Sequence, residues 1–194
     1  KEVEADPNTA PKETASLAKR GTPADTISLS ARRSDATSPA SQNARSAAAD
    51  YIWSVYDLNG VKFPQDARQS VSKLFRACKE RGRIYHASMP AIGDIVFFHN
   101  TVDMNGDGRN NDWYTYAAIV EGHDKDGKVS LLGYRNEEVR RFTMNLASPD
   151  AAMDRHGQTA NTQLRAPADD DAPFTQYLAG QLFAGTCSAL GDRA

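Results

Sequence analysis

Between residues 43 and 190 the spacing of apolar positions changes from helical to alternating and back again. From Asn43 to Leu58 a run of alanines (44, 47, 48 and 49) leads into Tyr51, Ile52, Val55 and Tyr56. The last three recur at helical spacing and predict a helix with one buried face. Asn59-Gly60, a pair that tolerates the left-handed region, ends it. A second helix is predicted from about Asp66 to Arg81, with Val71, Leu74, Phe75 and Cys78 as its apolar stripe and Gly82 as its stop. This places Cys78 on the inner face near the helix end. From Pro90 the period shortens. Ile92–His99 reads as a turn and a short apolar strand, and Tyr114–Glu121 as a second strand. Val129–Tyr134 pairs with that strand across the polar turn His123–Lys128, and Val139–Met144 alternates as a fourth. Phe174–Leu190 returns to helical spacing through Phe174, Tyr177, Leu178, Leu182 and Phe183, predicting a closing helix with Cys187 at its end. Helices followed by an antiparallel sheet make an α+β domain over residues 43–194.

The flanks and one long connection lack this patterning. Residues 1–42 contain no aromatic residue and few branched aliphatics, so they cannot bury enough apolar surface to offset their ordering entropy. They read as a flexible tether, within which Thr26–Ser30 alternates as a short edge strand. Residues 147–172 read as a long surface loop. The 194 residues carry a formal net charge of −2, and no basic stripe interleaved with aromatics points to nucleic acid. No apolar run approaches the roughly 20 residues that span a bilayer. The opening Lys1-Glu2-Val3-Glu4 has no signal-peptide pattern, and a start without Met suits a trimmed chain. Two cysteines without a Cys-x-x-Cys pair argue against a thiolate zinc site; their number alone leaves two free thiols and one disulfide both open.

The most informative local motif is Asp103-Met104-Asn105-Gly106-Asp107-Gly108-Arg109. Its side-chain oxygens at offsets one, three and five suit a hard cation, and glycine at offset six allows the sharp turn. The Arg109 carbonyl supplies a further ligand at offset seven. The usual bidentate Glu at offset twelve is replaced by Tyr114, so Asp112, or Asn111 through a water, closes the set. The expected ion is Ca2+, bound with modest affinity and suited to the millimolar calcium outside cells. The alternative is an Asp/Asn/Gly turn held by its own side-chain-to-backbone bonds.

Met89-Pro90-Ala91-Ile92-Gly93-Asp94-Ile95-Val96-Phe97-Phe98 resembles the Pro-x-x-Gly-Asp turn and strand of CHAP and NlpC-type domains. These are papain-like cysteine amidases and peptidases that act on bacterial peptidoglycan. Thr115–Glu121 fills the place of the family strand that carries the histidine. Val139–Leu146, Tyr177–Gly185 and the insert at 103–112 are similar to later features of exported members. The resemblance spans about residues 43–190. It implies a papain-like fold with a nucleophilic cysteine near Ala48 and a histidine at Tyr116. No cysteine precedes residue 78, and a phenol is a poor general base near neutral pH. The orienting third group falls near Gly133–Arg135, where neither end of the span is an obvious orienter. Cys78, on an apolar stripe where burial raises a thiol pKa, is a poor substitute. His86, His99, His123 and His156 lie in connections, strand ends or turns, and no pair has metal-ligand spacing.

These residues favour a catalytically inactive CHAP-like module. Its expected ligand is a peptidoglycan fragment, a peptide or an envelope protein, with Trp53 and Trp113 as possible groove aromatics. Ordinary packing is the alternative role for both tryptophans. Two other readings stay open: an active amidase or endopeptidase in which Ala48 is an inactivating replacement, and a calcium-stabilised structural domain. The tether and the calcium loop suit an exported bacterial protein, whether periplasmic, anchored at the outer membrane or extracellular. In that setting a Cys78–Cys187 bridge is expected, tying the closing helix to the second helix.

Overall fold

A computed structural model describes residues 23–32, 44–81 and 83–191. Among the described residues three α-helices precede a six-stranded antiparallel sheet. The helices are α1 (Pro23–Arg32), α2 (Ala44–Leu58) and α3 (Val71–Glu80). The strands are β1 (Ile84–Tyr85), β2 (Ile95–Phe98), β3 (Tyr116–His123), β4 (Val129–Arg135), β5 (Glu138–Met144) and β6 (Phe183–Cys187). They lie in the order β1-β6-β2-β3-β4-β5. The α+β class expected from the sequence is therefore present. Helix α2 lies against β3 and β4, and α3 packs on α2 and β6. All four residues of β2 and the first six of β3 are buried, as befits strands flanked on both edges. Tyr51, Ile52, Val55 and Tyr56 of α2 meet them in one core. No helix among the described residues is long and apolar enough to cross a membrane.

Four expectations need correction. The predicted second helix is two pieces, a 3-10 turn at Gln65–Gln69 and then α3. Ser70 between them is extended, and its Oγ accepts the Lys73 N–H at 3.2 Å. A serine N-cap starts a helix by satisfying one of its unpaired amides, so Ser70 restarts the chain rather than continuing it.

Thr26–Ser30 is not an edge strand but the middle of α1. Pro23 suits a first helical position, Asp25 complements the first-turn dipole, and Ile27 and Ala31 share a face at i, i+4. Both are fully buried, and burying Ile27 contributes about 2 kcal/mol, which outweighs a weak β-propensity. Tyr51 Oη donates to the Ala31 carbonyl at 2.5 Å, and Ser28 Oγ to the Glu121 carbonyl at 3.3 Å. Gly93 has φ +80°, and a Cβ there would stand 3.1 Å from Ala24 Cα, so a glycine lets α1 settle on the turn before β2. Part of the expected tether is thus a docked helix, and the rest of residues 1–42 lies outside the described residues.

The expected closing helix over 174–190 is instead a series of turns followed by β6. Gly180 and Gly185 lower helix propensity, and Gly185 adopts φ +141°. The pairing edge of β2 offers a ladder that an isolated helix would forgo. Strand β6 fills the space between β1 and β2, with Cys187 opposite both Ile84 and Ile95. The disulfide joins Cys78 to Cys187, with Cα atoms 5.9 Å apart, and so ties α3 to the sheet rather than helix to helix.

Residues 147–172 hold no helix or extended strand, as expected, yet they are anchored. Asn161 Oδ1 accepts the N–H groups of Asn145 and Gly180, and its amide donates to the carbonyls of Ser148 and Ala151. Arg165 and Asp171 form a buried ion pair in the same segment.

Glu121 on β3 links α1 to the sheet. Its carboxylate accepts Arg141 Nε and Nη2, each at 2.6 Å, Ser130 Oγ at 2.7 Å and Arg32 Nε at 2.8 Å. The Arg141 bonds are the chief cause of its pKa falling from 4.5 to about 2, against the opposing effect of burial. A depressed carboxyl stabilises the fold fully above its unfolded value and loses that contribution as the pH drops through the folded value. Between about pH 4.5 and 2 the protein should lose about 1–2 kcal/mol through this group, after allowing for solvent screening of the two exposed guanidiniums. Urea unfolding across that range checks it. Glu121→Gln should flatten the acid limb, and an unchanged limb would exclude the link.

Candidate functional site

Ala48 lies in the second turn of α2 and is 4% exposed. Tyr116 opens β3 and is 7% exposed. Both belong to the hydrophobic core, not to a cleft. The Tyr116 ring meets Phe142 edge-on at 5.6 Å and lies 6.3 Å from Phe98. Its hydroxyl has no hydrogen-bond partner among the described residues. Burial drives its pKa far above that of an ordinary phenol. Gly133 faces it: a Cβ there would overlap the Tyr116 oxygen and come within 3.2 Å of the Phe142 ring. Tyr116 and Gly133 are thus fitted to one another, a large ring against a missing side chain. Beside them Tyr51 stacks on Tyr134 at 5.9 Å. A buried, un-ionised phenol without an acceptor cannot take a proton from a nucleophile at neutral pH. At the position of the orienting group, Arg135 Nη1 donates to the Leu164 carbonyl at 2.7 Å and so fixes a loop instead.

Neither cysteine is a free thiol, so Cys78 offers no thiolate. The histidines are spread apart. His99 Nδ1 accepts the Tyr114 N–H at 2.9 Å, and burial lowers its pKa. His86 Nε2 lies 3.2 Å from the Ala184 carbonyl, His123 Nε2 meets the Pro90 carbonyl, and His156 Nε2 accepts Arg155 Nε at 3.0 Å. Two shallow clefts flank Arg32. One is lined by Leu132, Tyr134, Val139 and Arg141, the other by Glu121, His123, Lys128 and Gln158. Neither reaches Ala48 or Tyr116.

The two tryptophans sit in different environments. Trp53 is 8% exposed; its Nε1 donates to the Pro64 carbonyl at 3.1 Å and Arg68 lies 4.7 Å over the ring. Arg68 is itself held by Asp50 at 2.7 Å. Trp113 is 66% exposed, with its edge against His99 at 4.6 Å.

The loop Asp103–Asp112 connects β2 to β3 and is tightly bonded to itself. Asp103 accepts the N–H groups of Asn105, Gly106 and Gly108 at 3.2, 2.7 and 2.7 Å. Asp107 accepts the Arg109 N–H at 2.9 Å and the side-chain amides of Asn111 and Asn105 at 2.9 and 3.1 Å. These bonds hold both carboxyls below the usual range: for Asp103 chiefly the Gly108 amide, for Asp107 chiefly Asn111. Among the described residues no group of three or more His, Cys, Asp or Glu side chains converges as a metal set. Asp112 stands apart: it is mostly buried, and its Oδ2 has no partner. Its backbone is fixed, the N–H to Asn100 Oδ1 and the carbonyl to the Asn100 N–H, each at 2.8 Å. The oxygen donors suit a hard cation in kind, but Asp103 Oδ1 and Asp107 Oδ2 each already accept two bonds, so only Asp103 Oδ2 and Asp107 Oδ1, with one bond each, retain a lone pair.

Phe174, expected on the buried face of a helix, is 97% exposed, and the Glu121 cluster was not anticipated at all. The signal for the first was Pro173, whose fixed φ suits the second position of a turn. For the second it was the spacing of Glu121, Ser130 and Arg141, which only strand pairing brings together. No family model matches the chain, and no curated protein or solved structure matches it either.

Proposed function

We propose that this chain is an exported, catalytically silent domain of the papain-like CHAP or NlpC type that binds a peptide, a peptidoglycan fragment or an envelope protein. The reading rests on one observation. At the two positions where the resemblance calls for a thiol and an imidazole stand a buried methyl, Ala48, and a buried phenol, Tyr116, packed over Gly133. Covalent catalysis by sulfur needs a thiolate beside a base, and the described residues offer neither there. The disulfide is compatible with an oxidising compartment, which supports export.

The test is turnover. Purified chain incubated with muropeptides and intact peptidoglycan should release no new amine or carboxyl termini, even with Ala48→Cys, because Tyr116 still occupies the base position. Hydrolysis by the unaltered chain that survives rigorous purification and follows the protein through its elution peak would overturn the reading.

A calcium-stabilised domain is the second reading, favoured by the buried, unpartnered Asp112 Oδ2 at the end of an oxygen-rich loop. In it Asp103, Asn105, Asp107, the Arg109 carbonyl and Asp112 hold Ca2+, which would add rigidity to the β2–β3 connection. Because the loop closes on its own amides, affinity is weak, in the range of extracellular modules at about 0.1–1 mM. Calcium titrated into chelator-treated protein should raise the melting temperature and perturb Trp113 fluorescence, and Asp107→Ala should abolish both. No response at saturating calcium would refute this reading.

A further inference from the structure

Ala172-Pro173-Phe174-Thr175 is a tight turn in which the Thr175 N–H donates to the Ala172 carbonyl at 3.2 Å. Pro173 occupies the second position and Phe174, at φ +67°, the third. Proline at the second position and positive φ at the third define a type II turn, where glycine is strongly preferred. A bulky side chain there is strained, and this one is also 97% exposed to water. Both features oppose stability, and strain of this kind concentrates at functional positions.

The turn is rigidly supported. Asp171 accepts Arg165 Nε, the Ala168 N–H and Tyr177 Oη at 3.1, 2.9 and 3.0 Å. Thr175 Oγ1 donates to the Ala172 carbonyl at 2.6 Å and accepts Asn110 Nδ2 at 3.2 Å. The Ala172 N–H donates to the Gly108 carbonyl at 3.0 Å. A Cβ on Gly108 would meet the Asp170 carbonyl at 2.7 Å, so glycine permits the two loops to touch. The loop bonded to this turn carries three further exposed apolar side chains, Val102, Met104 and Trp113. Across residues 102–113 and 168–176 there are six carboxylates and one arginine. Asp171 is neutralised by Arg165, whereas Asp107, Asp169 and Asp170 are exposed.

We propose that Phe174 is a pre-ordered anchor that packs against apolar side chains of a basic peptide segment of a protein partner, whose lysines and arginines meet the acidic loops around it. Aromatic anchors held in place before binding lose little entropy when they dock, and they carry a large share of interface energy. The acidic rim complements a cationic protein surface and opposes an anionic lipid surface. The inference rests on the reading of this chain as a binding module, and it specifies where that binding occurs.

The experiment selects random displayed peptides on the full chain and measures the enriched sequences by fluorescence anisotropy against the native protein and Phe174→Gly. Enriched peptides should combine Lys or Arg with apolar residues and lose affinity as salt is raised. They should bind Phe174→Gly at least about tenfold more weakly. Phe174→Gly should meanwhile melt about 2–4 °C higher, because glycine relieves the turn; this shows that the variant is folded. A double charge reversal, Asp169→Lys with Asp170→Lys, should weaken the same peptides. Peptides without basic residues, no enrichment, or equal binding by Phe174→Gly would overturn the proposal. Binding to anionic phosphatidylglycerol vesicles that disappears in Phe174→Gly would overturn it too, in favour of a membrane surface. Failure here leaves the turnover result untouched, so the loss of this inference and the loss of the silent-domain reading are distinguishable.

Discussion

Removing the Cys78–Cys187 bridge, by the double alanine variant or by reductant, should lower stability by about 4 kcal/mol. The bridge spans 109 residues, a separation at which loop-closure entropy in the unfolded chain is large. For a chain of this length the melting temperature should fall by about 10 °C. Both sulfurs are fully buried, so mild reductant should act slowly below the unfolding transition. Circular dichroism melts with and without reductant measure the shift. Mass spectrometry of the untreated protein should show one cross-linked peptide pair, and two alkylatable thiols would contradict the bridge.

The second large effect lies at the pair Tyr116 and Gly133. Gly133→Ala should cost about 2–3 kcal/mol, since the new methyl collides with a hydroxyl that has no room to retreat inside a packed core. Tyr116→Phe should stabilise the fold by about 1 kcal/mol, because it removes a buried hydroxyl that has no partner. Combining them should recover part of the loss, although Cζ would still stand 3.0 Å from the new Cβ. Chemical denaturation of the four proteins gives the coupling directly. A neutral Gly133→Ala would mean that the Tyr116 ring does not point at β4, and the silent-site argument would weaken with it.

The parts of the fold that were legible in the sequence are those where period and burial agree. Ile52, Val55 and Tyr56 announce a helix, and Ile95–Phe98 a buried strand, because each pattern satisfies one local geometry alone. Hairpin turns were legible for the same reason, as at His123–Lys128. Errors arose where tertiary context overrode a local signal. Thr26–Ser30 alternates weakly, but the hydrophobic gain from Ile27 and Ala31 on one helix face decides its state. Phe174–Leu190 has helical spacing, yet β6 gains a hydrogen-bonded ladder on two sides, and no single-chain pattern shows that a gap between β1 and β2 needs filling.

The candidate site was legible in part. The Cys78–Cys187 bridge was expected only from the exported setting, because two cysteines alone left free thiols and a disulfide equally open. The self-bonded turn at 103–112 was the alternative to the expected calcium loop, because the same residue types serve both. That Tyr116 would lie over Gly133 could not be read, because the two residues meet only through strand pairing. Trp53 illustrates the same limit: its exposure depends on Arg68 and Pro64, which a helical pattern does not place.

The position of β6 carries a consequence for biosynthesis. Of the six described strands it leaves a ribosome last, yet the sheet needs it between β1 and β2, which are made about a hundred residues earlier. Until then β2, wholly apolar, has a bare edge that any passing strand could pair with. Cys78 likewise waits unbonded for its mate. A nascent chain halted before residue 183 would thus be a sticky, thiol-bearing fragment, and safe maturation depends on completing translation before the chain is left to collapse or oxidise.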